Sequence, residues 1–150
     1  MKNEFQIGEQ TIKFVLLPAG DVWSGLLLLA NEAYEVEIEA GKNGDITGQV
    51  NWDQVRQVLQ FILNEFPSLL EKANKSLRYF VNECGLYSSI ELEAIQQFEL
   101  DFIELLYPVS SRMDFHLNFT LGPNPWIDTY GQWSVSFMRG YLVGVERKQL

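Results

Sequence analysis

Residues 51–66 have the sequence NWDQVRQVLQFILNEF, and within this stretch the hydrophobic period of the chain changes. Trp52, Val55 and Leu59 recur at the three- and four-residue spacing of a helix with one apolar face. Asn51 precedes them and is a favoured N-cap residue, because its side chain accepts a hydrogen bond from a free backbone N–H. The pattern predicts that the middle third of the chain is helical and begins at Asn51.

The first predicted helix ends near Pro67, and a second one follows. Proline lacks the N–H that a helix interior needs and disfavours helical geometry in the preceding residue, so we expect a break or kink there. Apolar residues from 69 to 84 form the second helical stripe, and Gly85 is a typical terminating residue. Cys84 lies on this stripe and is expected to be a buried, unreactive thiol.

A third helix is predicted after residue 88. Ser88 and Glu91 match a capping box, in which the hydroxyl and the carboxylate accept hydrogen bonds from free N–H groups. Pro108 would end this helix. Its apolar stripe is formed by Leu92, Ile95, Phe98, Phe102 and Leu105 or Leu106.

Alternation of apolar and polar residues predicts strands on both sides of the helical third. In the first third we expect strands at residues 11–17, 22–30 and 34–40, a turn at 41–45 and a short edge strand at 46–50. In the last third we expect strands at residues 115–121, 133–137 and 141–145, with a tight turn at 139–140. The order predicts a single α+β domain over residues 1–150. A mainly antiparallel sheet, made of an N-terminal meander and C-terminal hairpin strands, carries about three helices on one face.

Composition limits the classes of partner. The 150 residues carry a net charge of −9, which argues against binding to a nucleic-acid backbone or an anionic membrane surface. The densest apolar run, residues 25–30, is far shorter than the roughly 18 residues of a membrane-spanning helix. Residues 1–14 alternate and do not resemble a signal peptide. We therefore expect a soluble cytoplasmic protein that binds neither nucleic acid nor membrane.

Few residues point to catalysis or cofactor binding. One Cys and one His cannot supply the four soft ligands of a structural zinc site, and no glycine-rich phosphate loop is present. His116 lies on the polar side of its predicted strand and is expected to be solvated or paired at the surface. Ser134 and Ser136 have the spacing of solvent-side positions. We predict no catalytic residue, no cofactor and no metal.

Acidic residues concentrate in two blocks. Glu35, Glu37 and Glu39 share one side of a predicted strand, where a solvated face and a partner site are both plausible. Residues 86–108 carry five acids and no base, and Asp101 and Glu104 lie near the end of the predicted third helix, where the helix dipole disfavours them. The candidate contacts for a basic protein partner are therefore Glu35, Glu37, Glu39, Asp101 and Glu104.

Trp126 is the sixth candidate contact. It lies in a predicted loop between Pro125 and the acid Asp128. A large apolar ring at such a position either covers the core or contacts a partner.

The layout of the chain resembles that of small bacterial domains of unassigned function, some of which are immunity proteins of polymorphic toxin systems. The resemblance is carried by Trp23 and Gly25 in the meander, the pair Tyr107-Pro108 after the helices, and the closing hairpin at residues 132–137 and 142–146. It implies a non-enzymatic binding protein. It supplies no catalytic motif.

Three hypotheses follow from these patterns. The first is an acidic, non-enzymatic binding protein that neutralises a basic toxin by occupying its active site. The second is a secretion chaperone that binds an effector segment on apolar patches and dimerises. The third is a small hydrolase that uses a carboxylate pair, for which strand residues about 7 Å apart on one face offer a starting geometry. Oligomeric state and strand order are left open.

Overall fold

The computed structural model describes residues 3–18, 21–39, 50–95, 97–106, 113–122, 125–128 and 131–149. Five strands come first: β1 (Glu4–Ile7), β2 (Gln10–Lys13), β3 (Val15–Leu16), β4 (Val22–Leu29) and β5 (Glu32–Glu39). The helices α1 (Trp52–Glu83) and α2 (Ser89–Ala94) follow. The remaining strands are β6 (Gln97–Leu105), β7 (Phe115–Gly122), β8 (Gly131–Met138) and β9 (Tyr141–Gln149), with a 3₁₀ helix at Pro125–Asp128.

Seven of these strands form one mixed sheet in the order β3-β4-β5-β6-β7-β8-β9, and β1 pairs with β2 in a separate hairpin. Neighbouring strands of the large sheet are antiparallel except β5 and β6, which are parallel. A parallel pair needs a long crossover connection, and the helices lie within this one. The predicted α+β class is confirmed. The predicted turn at 41–45, residues 46–49 of the predicted edge strand at 46–50, and Pro108 lie outside the described residues.

Helix α1 is continuous from Trp52 to Glu83, with Pro67 inside it, so the predicted break at Pro67 is wrong. An interior proline costs about 3 kcal/mol, whereas burying one large apolar side chain contributes about 1.5–3 kcal/mol. The helix has ten buried residues, and their burial outweighs one missing hydrogen bond. Asn51 is the N-cap as predicted, since its side chain accepts from the Gln54 N–H at 3.2 Å. Cys84 is the C-cap and is exposed, contrary to the prediction.

The predicted third helix is also wrong, because the described chain has two α-helices rather than about three. Ser88 and Glu91 form the predicted capping box, but α2 has only six residues. The chain then enters β6, whose pairing with β7 shifts register between Leu100 and Phe102. A β-bulge inserts one residue and changes which positions face the core. Phe98 and Leu105 are buried in the core, whereas Phe102 is only partly buried and pairs with Glu35, so the helical spacing of these three residues does not mark one buried face.

Helix α1 covers one face of the large sheet, which we call the inner face. A row of apolar side chains crosses this face from β4 to β8: Trp23, Ile38, Leu105, Phe115 and Phe137. Rings of α1 contact it, with Trp52 at 5.2 Å from Trp23, Phe61 at 6.4 Å from Phe115 and Phe80 at 5.7 Å from Trp133 (ring centroids). We call the opposite side the outer face.

No helix in the described ranges is both long and apolar enough to cross a membrane.

Candidate functional site

A row of polar side chains crosses the outer face of the sheet. The strand registers align Ser24, Glu37, Glu104, His116 and Ser136, one from each strand between β4 and β8. Side chains alternate between the two faces of a strand. Each residue of this row is therefore the sequence neighbour of a residue in the apolar inner row, and the two side chains lie on opposite faces. Glu37, which was predicted to lie in a strand, and Glu104, which was predicted to lie in a helix, therefore occupy neighbouring strands of one sheet.

Four carboxylates cluster around this row: Glu35, Glu37, Asp101 and Glu104. The parallel pairing of β5 and β6 sets Glu37 opposite Glu104 and Glu35 opposite Phe102. Asp101 lies at the bulge of β6, and its charge acts on Glu37. We call these four residues the acidic face. The structure thus brings together four of the five acidic residues that the sequence analysis selected.

Glu39 and Trp126 stand apart from the acidic face. Glu39 follows Glu37 on the same side of β5, at the last position of the strand, and is exposed. The backbone of Trp126 belongs to the 3₁₀ helix. Its side chain lies outside the described residues, so whether it covers the core or contacts a partner stays a prediction.

Glu37 is the most perturbed carboxyl group of the acidic face. Its pKa is raised to about 7, mainly by partial burial, and the neighbouring charges of Glu35, Glu104 and Asp101 contribute in the same direction. A hydrogen bond between the carboxyl groups of Glu37 and Glu35 also contributes, and it requires a proton on one of them. Ser24 Oγ donates a hydrogen bond of 2.8 Å to Glu35 Oε1, which favours Glu35 as the acceptor. With a pKa of about 7, Glu37 carries a proton about half of the time at neutral pH.

Glu104 has the opposite environment. Its Oε1 lies 3.1 Å from Nδ1 of His116, and the two side chains are only 19% and 18% exposed. The hydrogen bond from His116 lowers the pKa of Glu104 despite partial burial, and Lys148 adds a smaller effect in the same direction. His116 is thus paired rather than solvated. The alternation in β7 places it on the polar side, but only the β6–β7 register identifies its partner.

Ser136 extends the row beyond His116, so that acid, imidazole and hydroxyl follow one another across three strands. A serine nucleophile needs a base within hydrogen-bonding distance of its hydroxyl. Among the described residues, the hydrogen-bonded chain ends at His116. Ser134, predicted to face solvent, is instead fully buried and donates a hydrogen bond to the side chain of Asn118.

The described side chains include no group of three or more His, Cys, Asp or Glu residues arranged to hold a metal ion. The carboxyl group of Glu37, whose pKa is raised to about 7, can exchange a proton near neutral pH.

No protein-family model, curated protein or solved structure matches this chain.

Proposed function

We propose that the protein is a non-enzymatic binding protein whose acidic face, Glu35, Glu37, Asp101 and Glu104, binds a basic protein partner. The observation that carries this proposal is the parallel pairing of β5 and β6, because it joins two acidic segments that are remote in sequence. Folding alone does not require this arrangement, since like charges on neighbouring strands destabilise a sheet.

A basic side chain from a partner would relieve this repulsion. Among the described residues, His116 and Lys148 both lower the pKa of Glu104. Glu37 is surrounded by carboxylates and takes up a proton instead. An Arg or Lys placed beside Glu37 would replace that proton, so we expect partner affinity to increase as the pH rises through about 7.

The proposal extends to the kind of partner and to the location of the complex. The layout resemblance to immunity proteins of polymorphic toxin systems favours a toxin whose active site carries positive charge. Such a protein acts in the cytoplasm. Charge on the acidic face would mainly accelerate association and exclude unsuitable partners.

The test compares two variants of equal charge. The first neutralises the acidic face (E35Q, E37Q, D101N, E104Q), and the control neutralises Glu4, Glu9, Glu71 and Glu83, which are exposed and lie elsewhere. Immobilised proteins are used to capture partners from lysate, and the association rate of each captured protein is measured against salt concentration. We expect the first variant alone to lose its partner and the salt dependence.

An oligoarginine peptide serves as a defined probe in the same experiment. Its amide chemical-shift changes should lie on β5 and β6 in the wild type and the control. Equal capture and equal association rates for both variants would overturn the proposal.

A second candidate function, a hydrolase, is favoured by one observation. Glu35 and Glu37 lie on the same side of β5, and the pKa of Glu37 is raised to about 7, the range of a general acid or base. Hydrolysis of a fluorogenic peptide library should then decrease as the pH rises through 7 and be abolished by E37Q but not by E71Q. Activity that is identical in E37Q and the wild type would rule this candidate out.

A further inference from the structure

The two edges of the seven-stranded sheet differ in how they are protected. One edge is β3, which has only two residues. Past the end of β3, the side-chain amide of Gln10 covers the edge of β4. Its Nε2 donates to the carbonyl oxygen of Leu28 at 3.0 Å, and its Oε1 accepts from the Leu28 N–H at 2.7 Å. Short edge strands and covered backbone groups are among the ways in which sheets avoid pairing with another chain, so this edge is protected.

The opposite edge is β9, which is nine residues long. Among the described residues its only neighbour in the sheet is β8, so the backbone groups on its other side have no strand to pair with. None of its residues is buried, and Tyr141 and Val143 are 70% and 57% exposed. Charged residues discourage pairing at an edge, but those of β9 lie at 146–148, and residues 141–145 carry no charge. The first half of β9 is therefore an open edge that can accept a further strand.

A cleft of about 390 Å³ lies beside this edge, between β9 and α1. It is lined from the helix by Lys75, Ser76, Tyr79 and Phe80 and from the sheet by Val145. Val145 pairs with Val135 of β8, which is fully buried on the inner face. Directly opposite residues of neighbouring strands point to the same face of a sheet. A strand added to β9 would therefore direct the side chain opposite Val145 into this cleft.

The lining of the cleft suits apolar and acidic side chains. The rings of Tyr79 and Phe80 are 71% and 39% exposed, and together with Val145 they form an apolar patch that a partner side chain would cover. Lys75 is the charged residue of the lining, and the exposed Lys72 lies one turn before it on α1. No carboxylate is among the described residues that line the cleft. A carboxylate on the added strand would therefore complement the charge of these lysines.

We propose that β9 binds an extended segment of a partner protein by strand addition, and that this segment carries a bulky apolar residue with acidic residues two positions away. Residues two apart in a strand share one face, so all of these side chains would point toward α1. Backbone hydrogen bonds would join the segment to β9, the apolar side chain would fill the cleft, and a carboxylate would pair with Lys75. The acidic face lies on the other side of the sheet, on β5 and β6, so nothing here depends on the proposed function.

The first test uses defined peptides and the full chain. The probe is acetyl-Asp-Thr-Leu-Thr-Asp-amide, and binding is followed by amide chemical shifts. Two versions of it are N-methylated, one at the leucine and one at both threonines. Alternate N–H groups of a strand point toward its neighbour, so we expect one of these versions to lose binding and the other to keep it.

The parent peptide should cause saturable shift changes along residues 141–145 and 75–80. A peptide with lysine in place of both aspartates should bind more weakly, because it faces Lys75. The proposal is overturned if the parent peptide leaves β9 unchanged, or if both N-methylated peptides bind as tightly as the parent.

Variants with matched controls test the cleft. Y79A removes an exposed ring from the cleft, and I90A removes an exposed apolar side chain from α2. K75E reverses the charge in the cleft, and K13E reverses an exposed lysine of β2. We expect Y79A and K75E each to weaken binding of the parent peptide about fivefold and the two controls to leave it unchanged. K75E should also bind the lysine peptide more tightly than the wild type does. Equal affinities for all four variants would refute the cleft as the binding site.

A second copy of this chain is the other occupant that an open edge could take. Sedimentation velocity over a range of protein concentrations, together with hydrogen exchange of the β9 amides, distinguishes the two. We expect a monomer without peptide, and protection of the β9 amides that increases only when the parent peptide is added. A dimer whose β9 amides are protected in the absence of peptide would contradict the proposal, because the edge would then be covered by the second copy.

Discussion

Asp128 and Glu37 are both partly buried carboxylates, and they have opposite surroundings. Arg147 binds Asp128 through two hydrogen bonds, from Nε at 2.8 Å and from Nη2 at 2.7 Å, and Tyr87 donates a third. These bonds lower the pKa of Asp128, with a further contribution from the backbone N–H of Gly131. Glu37 instead has carboxylates around it, and its pKa is raised to about 7.

The difference separates a folding role from a binding role. The Asp128 network joins the segment after α1, the 3₁₀ helix and β9, and a Cβ on Gly131 would collide with the carboxylate. Every charge in that network has its partner within the chain. The acidic face has unbalanced charge, which folding does not need and which a basic partner would use.

The largest expected effect is that of removing Asp128. The substitution D128A leaves the Arg147 guanidinium and the Tyr87 hydroxyl without their acceptor. The side chains of Arg147 and Asp128 are only 24% and 9% exposed, so water replaces the lost contacts poorly. Breaking a buried pair from one side costs about 3 kcal/mol, so the free energy of unfolding should fall by about that amount. Urea denaturation at pH 7 measures it.

The matched control is E146Q, which removes an exposed carboxylate from β9. It should change stability by no more than about 0.5 kcal/mol. Because the pKa of Asp128 is lowered by folding, its contribution should be lost as the pH falls below 4. If D128A and E146Q unfold at the same urea concentration, the network does not stabilise the fold.

The second-largest effect is expected for Glu37, whose contribution to stability depends on pH in the opposite direction to that of Asp128. Folding raises the pKa of Glu37 from 4.5 to about 7, so the folded protein binds more protons between these values and stability decreases as the pH rises from 4.5 to 7. A shift of this size, halved for solvent screening, corresponds to about 1.5 kcal/mol. E37Q should therefore be more stable than the wild type at pH 8 by about this amount.

At pH 4 the difference should vanish, because Glu37 is then protonated and resembles glutamine. E71Q provides the control on α1. A stability profile of E37Q that parallels the wild type from pH 4 to 8 would show that the carboxylates of the acidic face do not repel one another.

The sequence predicts the local signals of the fold well, because they depend on neighbouring residues. Asn51 as N-cap, the capping box at Ser88 and the strands predicted at residues 115–121 and 133–137 are all confirmed. Pro67 and β6 were mispredicted for non-local reasons. The burial of α1 against the sheet outweighs the proline, and the bulge at Asp101 interrupts the two-residue alternation by which a strand is recognised.

The candidate site was predictable in its residues but not in its arrangement. Charge counts identify Glu35, Glu37, Asp101 and Glu104 as unusual. Their assembly on one face depends on the parallel pairing of β5 with β6 across the helices, which no local pattern encodes. The antiparallel register of β6 and β7 explains why His116, an unremarkable strand residue in the sequence, contacts Glu104.

A smaller effect is expected for His116. In H116A, Glu104 loses the hydrogen bond that lowers its pKa, so this pKa should rise toward and beyond its ordinary value. The cost in stability should be about 1 kcal/mol, since one hydrogen bond to a partly exposed carboxylate is lost. Carboxyl carbon chemical shifts followed against pH measure the first quantity. An unchanged titration of Glu104 would show that the contact at 3.1 Å has no electrostatic effect.

The smallest effect should mark the boundary of the acidic face. Glu39 continues the alternation of Glu35 and Glu37, but it is exposed at the end of β5. E39Q should therefore change the free energy of unfolding by less than about 0.5 kcal/mol. Because an exposed rim charge still attracts a basic partner at long range, E39Q should slow association slightly and leave dissociation unchanged. A large increase in the dissociation rate would place Glu39 inside the interface and extend the acidic face to the end of the strand.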